Sequence, residues 1–352
     1  MTSLEKYKSA IEKAKRIKET SVFADLENTS RENFENAYNR ALSVVTKAET
    51  MPEATLDELS GNLFDSMNFL AKKAEGPSPL FKQVVVAGID GMGNYDRLAD
   101  TPFFDALRKD KNALYTDTAL SVLPTISAEN WCAMLKGVGP EKHGYNNEKL
   151  SVTPAPDNSD YPSVFKFLRD KYPFAKLCSF VNWEPINFGG IEHNIGVEKF
   201  RNDDNPLADQ IVSKLLSDRS LFTFIAFDNV DEAGHHGGYG SKEHLSAIMA
   251  AEQNCRRIYE AIEKSGRKDD TLFIILTDHG GIGHGHGGND DKERLNSYIA
   301  VGKGLKSGKL ESEDFHTATM AAVVLRALGV CQSGSCDLPE PHTAAFRPSA
   351  SH

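Results

Sequence analysis

The 352-residue sequence contains no apolar run long enough to cross a bilayer as a helix, which argues against a membrane span. Its first residues, MTSLEKYKSAIEKAKRIKE, lack the apolar core and small-residue cleavage site of a secretory signal, which predicts a cytosolic protein. Basic residues are outnumbered, with 40 Lys and Arg against 50 Asp and Glu, and the formal net charge is −10. We therefore expect no binding to duplex nucleic acid or anionic membranes, since both need a basic face.

Cysteine is also scarce, with five in the whole chain. An odd number in a chain of this size gives no reason to depend on disulfides, so we predict five thiols, at Cys132, Cys178, Cys255, Cys331 and Cys336. The last two form an isolated CxxxxC pair, and a disulfide or a metal site there is the alternative.

Residues 1–76 have the composition of helices, because they are rich in Glu, Lys, Ala and Leu. Apolar residues recur at helical spacing, as at Phe34, Tyr38, Leu42 and Val45. This pattern predicts two or three amphipathic helices, followed by a linker at EGPSP (75–79). Residues 21–73 resemble the small helical FIVAR modules of bacterial surface proteins. The alternative is a helical arm that covers the next domain or pairs two protomers.

After residue 80 the pattern changes to short β-branched and aromatic runs separated by helical stretches. The runs are QVVVAGID (83–90), LFTFIAFD (221–228) and TLFIILTD (271–278). Continuous apolar strands are typical of a parallel sheet covered by helices on both faces. We therefore predict a three-layer α/β sandwich over residues 80–330 and a tail over 331–352. Helices are expected near 102–110, 128–137, 162–171, 207–217, 241–264 and 316–328.

Acidic and histidine residues follow each of these strands, and in open α/β sheets ligands bind at the carboxyl ends of strands. They are Asp90 after the first strand, Asp231 and His235 after the second, and Asp278, His279 and His286 after the third. This mixture of carboxylate oxygens and imidazole nitrogens suits Zn, with Mn, Fe and Co as alternatives. The sequence therefore predicts a metal site at one edge of the sheet.

Structural alternatives exist for these residues. Asp90 could cap a turn. Asp231 and His235 face the same side only if their loop begins a helical turn, and Gly234 permits a tighter loop instead. The glycine-rich GGIGHGHGG could be a solvated mobile loop, although its two histidines favour a ligand role.

A hydroxyl nucleophile is expected in the segment LPTISAENW (123–131), where an extended stretch meets a helix that begins near Ala128. Ser127 would then be the N-cap, as a plain cap or with its hydroxyl beside the positive end of the helix. No Ser-His-Asp order supplies a base, so a metal would have to activate the hydroxyl. Thr125 is the rival hydroxyl, and Asn130 could direct its amide to a phosphoryl oxygen.

Four motifs follow one another along the chain: GIDGMG, PTISAENW with GVGPEKHG, DEAGHHG, and TDHGG with GHGG. In this order they resemble the type I phosphodiesterase/nucleotide pyrophosphatase family of the alkaline phosphatase superfamily, over residues 83–305. The resemblance implies two ligand sets for divalent ions, the first being Asp90, Ser127, Asp278 and His279, and the second Asp231, His235 and His286. It further implies in-line attack by the serine, a covalent phosphoserine, and its hydrolysis by water.

The implied function is two-metal hydrolysis of a phosphodiester or nucleotide pyrophosphate bond in a small phosphorylated substrate, with Zn or Mn as the cofactor. Ser127 stands where the diesterases more often have Thr, and Glu129 stands in place of a Pro, so phosphomonoester hydrolysis is the alternative. A sulfatase would need a CxPxR segment, whereas Cys132 is followed by Ala133 and Met134. A non-catalytic surface or scaffold protein is a further alternative, which the complete ligand set disfavours.

Overall fold

The computed structural model describes residues 1–72, 76–310 and 315–330. Its α-helices are α1 (Ser3–Lys18), α2 (Ser21–Ala24), α3 (Asn28–Leu42), α4 (Glu53–Asn68), α5 (Pro102–Arg108), α6 (Ser127–Lys136), α7 (Pro140–His143), α8 (Asn147–Val152), α9 (Val164–Lys171), α10 (Asp204–Ser217), α11 (Asn229–Gly237), α12 (Lys242–Lys264), α13 (Asp291–Arg294) and α14 (Thr319–Ala327). Short 3-10 segments occupy Val45–Thr50, Tyr95–Arg97 and Lys268–Asp270, and a π-helical turn occupies Ile186–Gly190.

The centre of the molecule is an eight-stranded sheet. Its strands are β1 (Gln83–Ile89), β2 (Ala113–Leu120), β3 (Leu177–Val181), β4 (Glu198–Arg201), β5 (Phe222–Phe227), β6 (Thr271–Thr277), β7 (Leu295–Val301) and β8 (Gly308–Lys309). They lie in the order β4-β3-β5-β1-β6-β7-β2-β8. Neighbouring strands are parallel except where β7 pairs with β6 and with β2, so the predicted mostly parallel sheet is confirmed.

Helices cover both faces of this sheet. Alternate residues of β1 enter different cores, with Val84 and Val86 on one face and Val85 and Ala87 on the other. Residues of α6, α9 and α14 pack on the first face, and residues of α5, α10 and α12 pack on the second. The predicted three-layer α/β fold is therefore confirmed, and each of the six predicted helices is present within a few residues of its expected bounds.

Helices α1 to α4 build a smaller core of their own. The buried positions of α1, at Tyr7, Ala10, Ala14 and Ile17, are three or four residues apart and so lie on one face of the helix. They pack with residues of α3 and α4, such as Phe34 and Leu63. A capping box between Thr2 and Glu5 begins α1. The predicted helical region is thus present.

Buried polar groups connect this helical region to the sheet domain. Asn68, at the end of α4, donates to the carbonyl of Arg219 (2.9 Å) and accepts from the N–H of Lys176 (2.9 Å). One turn earlier, Asp65 accepts from the Arg219 guanidinium (2.6 Å). These contacts fit an arm that covers the sheet domain. The division into separate units at 1–76 and 80–330 stays a prediction.

We expect Asn68→Ala to lower the free energy of unfolding by about 2–4 kcal/mol, because a carbonyl and an N–H at a buried position each lose a partner. Asn68 is 2% exposed. Urea unfolding followed by circular dichroism measures the effect. The matched control is Asn39→Ala, at an exposed position of α3, which should change stability by no more than about 0.5 kcal/mol. Equal unfolding curves for the two variants would contradict this role for Asn68.

Other predictions concern the membrane and the cysteines. Within the residues that the structure describes, no helix is both long and apolar enough to span a membrane. Cys132, Cys178 and Cys255 are free thiols, as predicted, and all three are buried. Cys331, Cys336 and the predicted tail over 331–352 lie outside the described residues.

Candidate active site

Three adjacent strands deliver the predicted ligands to one edge of the sheet. Asp90 directly follows β1, and Asp278 and His279 directly follow β6, which pairs with β1 in parallel. On the other side of β1, strand β5 leads into α11, which carries Asp231 and His235 one turn apart. The helical alternative for this second pair is therefore the one that the fold adopts.

Gly91, the residue after Asp90, is a glycine for a steric reason. Its φ of +68° is in the left-handed region, which side chains disfavour. A Cβ at this position would also overlap the carboxylate of Asp231. The glycine lets the turn after β1 pass close against α11. Asp90, which follows β1, and Asp231, which follows β5, therefore come together.

Asp90, Ser127, Asp278 and His279 form a first group. His279 Nε2 lies 3.1 Å from Ser127 Oγ, 3.2 Å from Asp278 Oδ2 and 3.5 Å from Asp90 Oδ1. The imidazole is fully buried, and its Nδ1 donates to the carbonyl of Gly280 (2.9 Å). That hydrogen bond leaves Nε2 as the nitrogen that faces the other three residues.

Asp231, His235 and His286 form a second group. His235 Nε2 lies 3.1 Å from Asp231 Oδ2 and 3.2 Å from His286 Nε2, and His286 Nε2 lies 4.0 Å from Asp231 Oδ1. Each ring donates from Nδ1 to a backbone carbonyl, His235 to His284 (2.9 Å) and His286 to Thr125 (2.8 Å). Such bonds orient both Nε2 atoms toward the carboxylate, as is usual for metal-binding imidazoles.

The two groups lie side by side. The rings of His279 and His286 stack with their centroids 3.8 Å apart. The ligand atoms of Asp231, His235 and His286 lie within 4.8 Å of one another, and so do those of Asp90, Asp231 and His279. The structure thus brings together all seven residues that the sequence predicted for the metal site. Binding of metal by them stays a prediction.

Two carboxylate oxygens in the first group have no hydrogen-bond partner. Asp90 Oδ2 accepts from the indole N–H of Trp131 (2.8 Å), whereas Asp90 Oδ1 is buried without a partner. Asp278 Oδ1 accepts from the N–H groups of Gly91 (3.1 Å) and His279 (2.8 Å), whereas Asp278 Oδ2 is buried without one. Buried polar atoms are normally satisfied. These oxygens, which both face one imidazole nitrogen, therefore fit a bound cation.

The pKa values of the site reflect a cluster of buried acids and imidazoles that lie close together. Burial and the neighbouring carboxylates raise the pKa values of Asp90 and Asp278 well above the ordinary range. Burial lowers the pKa of His279 to about 3, which leaves its ring neutral, the form that binds metals. The hydrogen bond to Asp231 raises the pKa of His235 to about 9. A divalent cation would favour ionised carboxylates and neutral imidazoles instead, because its charge dominates the local field.

Ser127 is the first residue of α6 and not its N-cap, so the predicted capping position is wrong by one residue. The N-cap is Ile126, whose backbone is extended and whose side chain makes no capping bond. The Ser127 hydroxyl instead contacts His279, and the residue is 8% exposed. It remains beside the N-terminal end of α6, where free N–H groups favour an anion.

Asn130 does not direct its amide to the site, which corrects its predicted catalytic role. The side chain is fully buried. Its nitrogen donates to the carbonyls of Val122 (3.2 Å), Pro124 (3.2 Å) and Ile126 (3.1 Å). Its oxygen accepts from the N–H of Val122 (2.9 Å) and the hydroxyl of Thr317 (2.9 Å). With these groups engaged, Asn130 holds residues 122–126 against α6.

Thr125, the rival hydroxyl, is fully buried and already engaged. Its Oγ1 donates to the carbonyl of Gly288 (3.0 Å) and accepts from the N–H of Gly287 (3.0 Å). Its own carbonyl accepts from His286. Thr125 therefore joins the glycine-rich segment GGIGHGHGG (280–288) to residues 123–131. Because the hydroxyl of Thr125 is engaged in this way, Ser127 is favoured as the nucleophile. The alternative of a solvated mobile loop is disfavoured for the same reason.

Two further residues make contacts near the first group that the sequence did not predict. Trp131, one turn after Ser127, holds Asp90 through its indole N–H. Asn147, the first residue of α8, accepts from the N–H of Ala128 (3.0 Å) through its side-chain oxygen and is exposed. Asn147 is the last residue of the motif HGYNN. Its contact could not be predicted from the sequence, because the spacing does not show that α8 begins beside α6.

Tyr239 is a third residue that the sequence did not identify. Its hydroxyl donates to Asp231 Oδ1, opposite the contact that His235 makes with Oδ2. The ring lies between two glycines, and a Cβ on Gly234 or on Gly281 would come within 2.6 Å or 2.5 Å of it. No spacing rule predicts this contact, because it depends on how α11 meets the glycine-rich segment.

We expect Trp131→Phe to weaken metal binding about 10- to 100-fold, because the variant removes the outer partner of a ligand carboxylate. The ring packs edge-on against Phe224 with centroids 5.8 Å apart, a place that another aromatic ring can fill. Competition with a chelator measures the dissociation constant. The matched control is Trp183→Phe, at a half-buried position, which should leave the constant unchanged. Equal affinities in the two variants would argue against the Trp131–Asp90 contact.

Solved structures share this fold at low sequence identity. Murine ectonucleotide pyrophosphatase/phosphodiesterase 5 is 11% identical, with a TM-score of 0.59 over 71% of this chain and 95% of that one. The phosphonate monoester hydrolase of Silicibacter pomeroyi is 13% identical, with a TM-score of 0.58 over 77% and 78%. A 2-O GAG sulfatase is 13% identical, with a TM-score of 0.59 over 79% and 76%. The chain therefore has the alkaline-phosphatase-like fold that these three proteins share.

Residues 159–329 match the sequence model of the type I phosphodiesterase/nucleotide pyrophosphatase family. The matched range contains Asp231, His235 and His286 together with Asp278 and His279, whereas β1 and the nucleophile segment precede it. The resemblance that the motifs predicted is thereby confirmed. No curated protein matches the chain.

Proposed function

We propose that this chain hydrolyses phosphodiester or nucleotide pyrophosphate bonds of small substrates through a covalent phosphoserine on Ser127. The observation that carries the proposal is the position of the Ser127 hydroxyl, 3.1 Å from His279 Nε2, among buried carboxylate oxygens that lack partners. The family match over residues 159–329 supports hydrolysis of a phosphate ester as the reaction class.

Two divalent ions, Zn or Mn, fit the donor sets. We propose that Asp90, Ser127, Asp278 and His279 hold one, and that Asp231, His235 and His286 hold the other. When bound, the ions would supply Lewis-acid activation of the serine hydroxyl and neutralise charge on the phosphoryl group. Mixed carboxylate and imidazole ligands favour Zn among the candidates.

The residues of the chain would position the reaction. Ser127 Oγ forms the new bond to phosphorus while the ester oxygen leaves with its electron pair, and water later cleaves the phosphoserine. The N-terminal end of α6 would stabilise the negative charge of the phosphoryl oxygens through N–H groups of its first turn other than that of Ala128, which already donates to Asn147. The Asn147 amide is held beside the N–H of Ala128 and could donate to the same oxygens.

Phosphomonoester hydrolysis is the second candidate. The observation in its favour is the serine at position 127, because alkaline phosphatases have a serine nucleophile and diesterases more often a threonine. No arginine lies in the nucleophile segment to grip a monoester dianion, and this favours the diester. The proteins that share the fold include both a nucleotide pyrophosphatase/phosphodiesterase and a phosphonate monoester hydrolase.

A sulfatase activity does not fit these residues. Cys132, the cysteine of the nucleophile helix, is fully buried in α6, and burial raises the pKa of its thiol to about 12. It therefore cannot present a nucleophile at the site. An inert scaffold is the remaining alternative. If the chain is a scaffold, we expect purified protein to contain no stoichiometric divalent metal, even after reconstitution with metal.

The experiment that tests the proposal compares initial rates for bis(p-nitrophenyl) phosphate, p-nitrophenyl phosphate and a dinucleotide pyrophosphate, each with Zn and with Mn. We expect the highest kcat/KM for a diester or pyrophosphate. A higher value for the monoester would select the second candidate. Absence of turnover for every substrate in metal-loaded protein would favour the scaffold.

A further inference from the structure

A polar cavity lies between the helical region and the sheet domain. It has a volume of about 240 Å³, and its walls come from α1, α4 and the C-terminal ends of α10 and α12. We call it the seam cavity. The chain leaves α10 and α12 to enter β5 and β6, so the cavity lies toward the edge of the sheet opposite the metal site. Four basic residues line it: Lys6, Arg219, Lys264 and Arg267.

Arg267 is the unusual member of this set. It is 2% exposed, and its Nε and both terminal nitrogens have no hydrogen-bond partner. The carboxylate oxygen in ion-pair range is Asp65 Oδ1, at 3.7 Å, beyond hydrogen-bonding distance. Burial lowers the pKa of Arg267 to about 10, which leaves the guanidinium charged at neutral pH. A buried charge without hydrogen bonds is costly, so the side chain needs a further partner.

The carboxylates around the seam cavity do not balance its guanidinium groups. Asp65 already accepts from the half-buried Arg219 (2.6 Å), so one carboxylate serves two guanidinium groups, of which Arg267 is the buried one. Asp270, whose charge also acts on Arg267, is paired with Lys82. Asp218 is paired with Lys176 and Lys214. The other carboxylate in the lining, Asp57, belongs to an exposed residue. An excess of positive charge therefore remains at the inner wall.

The helix ends do not account for this excess. Cations are favoured near helix C-termini, where backbone carbonyls lack partners. Here several of those carbonyls are already engaged. In α12 the carbonyls of Ala261, Ile262 and Glu263 accept from backbone N–H groups of the following turn, and in α10 the carbonyl of Leu216 accepts from Lys6 Nζ (2.8 Å). The guanidinium of Arg267 contributes no hydrogen bond to either end.

We propose that the seam cavity binds a small tetrahedral oxyanion of the phosphate class. Guanidinium groups present planar pairs of N–H donors that match two phosphate oxygens, which suits Arg267 and Arg219 at the inner wall. Lys6 and Lys264 add positive charge nearer the surface. The anion would join α4 to the end of α12 and so hold the helical region on the sheet domain. This inference does not depend on the proposed function.

Equilibrium dialysis of the full, metal-loaded chain against radiolabelled inorganic phosphate tests the proposal. We expect Arg267→Gln to remove one bound phosphate per chain, whereas Asp278→Asn should affect only phosphate held at the metal site. A variant that carries both Arg267→Gln and Asp278→Asn should lose phosphate at both sites. If the proposed function fails but this inference holds, Asp278→Asn will change nothing and Arg267→Gln will still remove one phosphate.

Circular dichroism establishes whether Arg267→Gln is folded. If it does not fold, the proposal is tested instead with a variant that carries both Lys6→Ala and Lys264→Ala. We expect the dissociation constant for phosphate in the seam cavity to be about 10-fold higher in that variant. Lys306→Ala, at an exposed position elsewhere, is the matched control and should bind phosphate like the unaltered protein. Unchanged phosphate binding in a folded Arg267→Gln variant, or in the double lysine variant when the first does not fold, would overturn the proposal.

Discussion

Ser127→Ala is expected to lower kcat for both bis(p-nitrophenyl) phosphate and p-nitrophenyl phosphate by on the order of 10⁴-fold or more, as loss of a covalent nucleophile does elsewhere. The variant removes the one hydroxyl that contacts His279 in the first group. Metal content should stay near that of the unaltered protein, because Asp90, Asp278 and His279 remain to bind the ion. Initial rates and elemental analysis of the same samples measure both effects.

Ser246→Ala is a matched control for this variant. Ser246 is exposed on α12, and its hydroxyl bonds only to the carbonyl of Lys242, so its removal should leave turnover unchanged. Normal rates in Ser127→Ala would transfer the nucleophile assignment to Thr125. In that case Thr125→Val should abolish turnover, although the hydroxyl of Thr125 is hydrogen-bonded to Gly287 and Gly288 in the structure.

Asp278→Asn is expected to lower the metal content by about one ion per chain and to reduce activity with it, because the variant removes a charged ligand. The carboxylate is fully buried, with Oδ1 bound by two N–H groups and Oδ2 free. An amide can satisfy that arrangement only by keeping its oxygen toward the N–H groups, which turns an NH₂ group toward the ion. Elemental analysis after dialysis measures the stoichiometry.

The control for this variant is Asp100→Asn, an exposed acid that should leave the metal content unchanged.

His286→Ala should act in the same direction as Asp278→Asn. His236→Ala is its matched control, since His236 follows a predicted ligand directly but has a side chain that is 73% exposed. Unchanged stoichiometry in Asp278→Asn or His286→Ala would show that the ligand assignment is wrong at that position.

The sheet and the strand-end residues could be predicted because their signals are local. Continuous apolar runs such as VVVAGI indicate buried parallel strands, and parallel strands bring their carboxyl ends to one edge. That geometry alone places Asp90 beside Asp278. The two alternatives left open for Asp231 and His235 could not be separated from sequence, because the choice depends on whether α11 forms.

Side-chain roles in the nucleophile segment were harder to predict. The N-cap of α6 is displaced by one residue, since Ile126 is extended and Ser127 already has helical geometry. Asn130 was expected to face the substrate, but its partners include Thr317, nearly two hundred residues away. A hydrogen bond of that kind depends on how α14 packs against α6, and no pattern within the segment reports it.

The contact between Tyr239 and its two glycines gives the glycines near the proposed metal site a structural role. Gly234 and Gly281 are the walls of a narrow slot, and the aromatic ring that fills it carries the donor for Asp231. A methyl group on either wall would push the ring aside and displace the carboxylate with it. Residues that suggest hinges in the bare sequence thus provide rigidity here, by leaving room for a flat neighbour.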